Sequence, residues 1–125
     1  MHTAPYFAAL GLLTIVHGIR VISLRWKHRV SLGDGGIPEL NVMIRIFGNN
    51  AEYAPLGLIL LAALEFVQAP VWYLHATGMT LVMGRLLHAY GLPKAPLNFG
   101  RASGVILTFI SLALSSVGVM LFTLS

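Results

Sequence analysis

Arg45, Asn49, Glu52 and Tyr53 recur at i, i+4, i+7 and i+8 within the stretch "RIFGNNAEYAPL". At 100° per residue they occupy an arc of about 100° on one helix face. A guanidinium, an amide, a carboxylate and a phenol on one face offer donors and acceptors to a polar, charged molecule. The same set also allows a purely internal arrangement, in which Arg45 and Glu52 neutralise each other and Asn49 bridges them. Further cations bear on this choice. Arg20, Arg25 and Arg29 close a first apolar segment, Arg85 and His88 stand near the end of a third, and Arg101 opens a fourth. Glu52 alone cannot balance so many guanidinium groups, whereas a compact molecule carrying carboxylates can.

The elements that must position these residues are apolar. The hydrophobic fraction is 57% and the charged fraction 10% over 125 residues, with a mean hydropathy of +0.82, where a soluble domain carries about 25% charged residues. The chain therefore reads as an integral membrane protein. A bilayer core of about 30 Å takes about 20 helical residues to cross, and four stretches of that kind are present, at about 5–29, 40–66, 71–90 and 97–124. "SLGDGGIPE", "QAP" and "GLPKAPLNFG" separate them with the Gly and Pro that end helices. The expected architecture is all-α, a transmembrane four-helix bundle forming one domain over 1–125. The first apolar stretch has no basic residue before it and no small-x-small site after it, so it is expected to stay as helix one.

Orientation follows from the Lys and Arg count. All eight flank the first connection (Arg20, Arg25, Lys27, Arg29, Arg45) or the third (Arg85, Lys94, Arg101), and connections rich in Lys and Arg face the cytoplasm. Both termini are then expected on the opposite side, where Glu65 also lies. At 1.5 Å per residue Glu52 stands about 20 Å from Glu65, so about 10 Å below the cytoplasmic interface. An ionised side chain at the centre of a membrane helix costs about 2.5 to 3.5 kcal/mol, which calls for a partner or a water-filled cavity.

Composition excludes some chemistries. There are no cysteines, hence no disulfide, thiolate metal site or cysteine nucleophile. The five histidines contain no i, i+4 pair and no H-E-x-x-H pattern, so no metal site is expected. His17 reads as a hydrogen-bonded interior residue, and His75 is too remote to join the basic cluster. The net charge of +4 is gathered at the ends of membrane helices, and no nucleic-acid partner is expected. Gly104, Thr108, Ser111, Ser115 and Gly118 place a seam of small residues on helix four, read as packing.

The segments "RVISLRWKHRVSLGDGGIPELNVMIRIFGNNAEYAPL" and "GRLLHAYG" resemble the membrane-associated proteins in eicosanoid and glutathione metabolism (MAPEG), in particular their short bacterial inner-membrane members. The most specific element is Arg, three residues, Asn, two residues, Glu on helix two, here Arg45, Asn49 and Glu52. The resemblance implies a homotrimer that binds glutathione between subunits near the cytoplasmic surface. It assigns Arg45, Asn49, Glu52 and Tyr53 to the tripeptide from one subunit and Arg25 to it from a neighbour, with Arg85 and His88 of helix three in support. Arg101 matches the arginine that stabilises the glutathione thiolate in catalytic members. His88 and Leu92 stand where eicosanoid-producing members carry tyrosines, so eicosanoid substrates are not expected.

The implied activity is that of a glutathione-dependent transferase or peroxidase, acting on hydrophobic electrophiles or lipid hydroperoxides that enter from the bilayer, without a metal. Two other readings stand beside it. One is a non-catalytic glutathione- or lipid-binding scaffold. The other is a proton-coupled exporter built on Glu52, disfavoured because the polar cluster lies toward one surface and not at the midplane.

Overall fold

The computed structural model describes residues 1–91 and 99–125. The expectations drawn on Leu92, on Lys94 and on the first residues of helix four fall outside the described residues. Four helices follow one another: α1 (Ala4–His28), α2 (Pro38–Phe66), α3 (Val71–Gly91) and α4 (Phe99–Leu124). Pro38 opens α2 with Glu39 in its first turn, a position where proline loses no hydrogen bond and a carboxylate meets the positive end of the helix dipole.

The first connection is a structured turn. Arg29 closes α1 in the left-handed region (φ 55°), and the amide of Val30 donates back to the Arg25 carbonyl at 3.0 Å. Asp34 then holds the reversal by accepting from the Gly36 amide at 2.9 Å, while Gly33, Gly35 and Gly36 all take positive φ, which glycine adopts without the Cβ penalty. At the other end of the bundle Gln68 takes φ 57°, and the Ala69 amide donates to the Leu64 carbonyl at 3.0 Å. Pro70 then precedes the first residue of α3.

α3 and α4 form the most extensive pair; α2 touches all three other helices, and α1 packs on α2 and α3. The apolar core joins Leu10 of α1, Ala54, Leu61 and Leu64 of α2 and Leu74 and Leu81 of α3. The small-residue seam is the buried face of α4, since its buried residues are Gly104, Thr108, Ser111, Ser115 and Gly118. Two glycines set the α3/α4 approach. A Cβ on Gly84 would lie 2.8 Å from the Thr108 amide nitrogen, and one on Gly104 would meet the backbone of His88, 2.7 Å from its Cα.

By length and apolarity α1 and α4 qualify as membrane spans. α2 and α3 carry most of the polar residues discussed above, which lowers their apolar character. Large apolar side chains cover much of the outer surface, among them Leu12, Ile15, Ile19, Phe109, Val117 and Met120. In water such a surface would drive association, whereas in lipid it is the expected exterior.

Candidate functional site

The helix-two stripe divides in two. Asn49 and Tyr53 turn partly inward, while Arg45 and Glu52 stand exposed on the flank of α2. The inward pair is fixed by Arg85, which is 2% exposed. Its Nη1 donates to the Asn49 side-chain oxygen at 2.6 Å and to the Asn49 carbonyl at 3.2 Å. Its Nε donates to the Thr108 hydroxyl at 3.1 Å, and that hydroxyl in turn donates to the Gly104 carbonyl at 2.8 Å. The guanidinium also lies over the Tyr53 ring, 5.6 Å from its centroid, and Tyr53 meets Phe109 edge-on at 5.6 Å. Arg85 thus links α2, α3 and α4 through charge-assisted hydrogen bonds and a cation–π contact. The close approach at Gly84 and Gly104 makes this reach possible.

The outward pair has no such tie. Among the described residues neither Arg45 nor Glu52 has an ion-pair or hydrogen-bond partner. The internal arrangement allowed by the sequence, with Arg45 and Glu52 neutralising each other across Asn49, is not formed, because Asn49 is taken by Arg85. In a membrane protein two exposed charges on a helix flank require something polar to cover them.

The remaining candidates stand at the same end of the bundle. His88 is buried one turn after Arg85, with Arg85 and Arg101 among its charged neighbours. Arg101 lies in the first turn of α4, partly exposed. Arg25 donates through Nη1 to the Gly33 carbonyl at 2.6 Å, bracing the α1/α2 connection. It also lines a cleft of about 390 Å³ with Ile22, Trp26, Arg29, Val30 and Ser31. A second cleft, of about 530 Å³, lies between α1 and α2, where Arg20 and Ser23 face Glu39 and Met43. Within one chain, then, Arg85, Asn49 and Tyr53 are joined directly, while Arg25 stands at a separate cleft at the end of α1.

Sequence reasoning missed two participants. Thr108, part of the small-residue packing seam, is also the hydrogen-bond acceptor that completes the Arg85 network. Asn50 is buried and donates to the Thr14 hydroxyl at 2.9 Å, tying α2 to α1. The signal for Thr108 was available, since a hydroxyl in a small-residue seam faces whatever helix packs there.

His17 corrects an expectation. It is interior, at 2% exposure, but both its ring nitrogens are without a hydrogen-bond partner among the described residues. One turn earlier, the Thr14 hydroxyl is engaged elsewhere: it donates to the Leu10 carbonyl at 2.8 Å and accepts from Asn50 at 2.9 Å. Leaving a buried polar group unsatisfied costs about 1 to 3 kcal/mol. His17→Leu, which removes the polar atoms and nearly conserves volume, is therefore expected to raise stability by about 1 kcal/mol, read as a higher melting temperature in detergent; a lower one would refute it.

Relatives place the chain in a family. The sequence profile of the MAPEG family matches residues 3–121. The inner membrane protein YecN of Escherichia coli K12 is 38% identical over 114 residues, covering 91% of this chain and 86% of its own. YecN of Escherichia coli O6:H1 gives the same figures. A polar helix-two face braced from helix three, on a four-helix chain matched by that profile over nearly its full length, makes this protein a member of the MAPEG family.

Proposed function

We propose that this chain is a glutathione-dependent transferase or peroxidase of the membrane, with the tripeptide bound against the flank of α2 where a second copy of the chain closes the site. The observation that carries this reading is the exposure of Arg45 and Glu52 without partners, beside Asn49 and Tyr53 held rigid by Arg85. A carboxylate and a guanidinium one helix flank apart suit a ligand that carries both an ammonium and carboxylates. Glu52 accepts from the glutathione α-ammonium, Arg45 pairs a carboxylate, and Arg25 reaches in from the neighbouring subunit. Arg85 is a positioning residue: it holds Asn49 and Tyr53 and does not itself need to touch the ligand.

Arg101 supplies the chemistry. A guanidinium keeps its proton, so it stabilises a thiolate against a thiol, and the amides of the first turn of α4 add partial positive charge on the same side. The thiolate then attacks an electrophilic carbon, expelling its leaving group, or the peroxide oxygen of a lipid hydroperoxide. In the second case the products are an alcohol and glutathione sulfenic acid, which a second glutathione converts to the disulfide and water. Apolar co-substrates arrive through the lipid-facing surface. The site is completed in a homotrimer of four-span subunits, its arginine-bearing end toward the cytoplasm by the distribution of positive charge and both termini on the other side of the inner membrane.

Turnover is the test. Protein in lipid nanodiscs is expected to conjugate glutathione to an apolar electrophile or to reduce a fatty-acid hydroperoxide. Binding of glutathione with neither reaction would leave the scaffold reading in its place.

A further inference from the structure

At the end of the bundle away from the arginines, two imidazoles distant in sequence face one another. The rings of His2 and His75 stand edge to face, with centroids 6.1 Å apart and planes at 79°. Glu65 anchors the backbone of His2, and Tyr6 holds the ring of His75. Glu65, in the last turn of α2, accepts from the amides of His2 and Thr3 and from the Thr3 hydroxyl, the Thr3 amide at 3.1 Å, which ties residues 2 and 3 to the end of α2. Tyr6 places its hydroxyl 2.6 Å from His75 Nδ1 and 3.4 Å from the His75 carbonyl oxygen.

The Tyr6 contact is compatible with a metal-binding tautomer of His75. A phenol has one proton to donate and can also accept. With that proton turned to the His75 carbonyl, Nδ1–H donates to the phenol oxygen, and Nε2 carries a bare lone pair. Both partners are already within reach, so selecting this tautomer strands no polar group. A second hydrogen bond on the non-ligating nitrogen is the usual way a metal-binding histidine is oriented and made more basic.

We propose that His2 and His75 form a two-imidazole site for a borderline-soft divalent cation, of the Cu2+ or Zn2+ class, with Tyr6 and Glu65 as the residues that position them. The spacing fits. A metal–imidazole bond of about 2.0 to 2.1 Å sets each ring centroid about 3.2 Å from the ion, so two rings on one ion have centroids about 5 Å apart at a tetrahedral angle and about 6.4 Å apart when trans. The observed separation falls between these limits, and His2 is exposed and free to turn. Among the described residues no three His, Cys, Asp or Glu side chains converge on one point; water completes the coordination. Imidazole ligands favour Cu2+ over the other divalent first-row ions. The site departs from the expectation of no metal, because that expectation rested on spacing along the chain and this pair forms only through tertiary contact.

The test is titration of the full chain, purified in detergent without a polyhistidine tag, with CuCl2 followed by calorimetry and electron paramagnetic resonance. One equivalent is expected to bind with nitrogen hyperfine structure from two imidazoles. His2→Ala, at an exposed position outside the core, and His75→Ala should each weaken the binding at least tenfold, and Tyr6→Phe about tenfold, with melting curves of the metal-free variants confirming that each is folded. His75→Ala that binds copper as tightly as wild type would assign the ion to the amino-terminal segment alone and overturn the proposal. So would unchanged binding by His2→Ala, or the lack of a one-equivalent step in the wild type.

Discussion

Replacing Arg101 by Gln is expected to leave glutathione bound and to raise the pKa of its thiol, slowing turnover near neutral pH by at least tenfold. A cation within a few ångströms of an ionising group shifts it by about one to three units, and each unit is a factor of ten in the ionised fraction. The sign follows from which form the charge favours. The guanidinium favours the thiolate and so depresses the thiol pKa; removing it raises that pKa, and the rate rises again only at higher pH. The pH–rate profile of Arg101→Gln should therefore move to the alkaline side, while the glutathione affinity changes little, because in the proposed site Glu52 and Arg45 take the ammonium and a carboxylate of the tripeptide. Arg101→Lys should fall between, since an ammonium keeps the charge but not the planar fork. An unchanged profile in Arg101→Gln would remove Arg101 from the chemistry.

Gly104→Leu should cause the largest loss of stability in the molecule. The added side chain would meet the backbone of His88 and the Gly84 carbonyl oxygen, 2.8 Å from the new Cβ, and backbone cannot rotate aside as a side chain can. Overpacking of this kind costs about 3 kcal/mol or more. Separating α3 from α4 also parts Arg85 from Thr108, so the Asn49 support is lost together with the packing. Gly11→Ala is the control. A Cβ at Gly11 meets nothing within 4 Å, and exchanging Gly for Ala inside a helix is worth about 0.5 to 1 kcal/mol in favour of Ala. Melting temperatures in detergent should move in opposite directions for the two variants.

Much of this was legible in the residues, and the rest was not for identifiable reasons. The four helices followed from the apolar stretches that Gly and Pro separate, because these two residues act locally on the backbone. The α4 seam followed from small residues at helical spacing. The division of the α2 stripe did not follow. Its arc on the helix was correct, but periodicity gives only relative angles, and whether Asn49 or Glu52 turns toward α3 depends on where α3 packs. Arg85 did carry a usable signal. It shares a helical face with the buried Thr77, Gly78, Leu81, Gly84 and His88, and a guanidinium on the innermost face of a helix needs partners within the protein, as Arg85 has in Asn49 and Thr108. His2, Tyr6, Glu65 and His75 gave none, because three separate helices and the chain start bring them together.

Both the site and its proposed ligand depend on Arg45 and Glu52 standing outside the subunit's own hydrogen-bond network. Calorimetry of glutathione with the wild type, Arg45→Ala and Glu52→Gln in detergent tests that most directly, with melting curves beside it. A charge-assisted hydrogen bond is worth about 1.5 to 3 kcal/mol, so each variant should bind about ten- to a hundredfold more weakly while melting as the wild type does. Equal heats of binding from all three proteins would contradict the account.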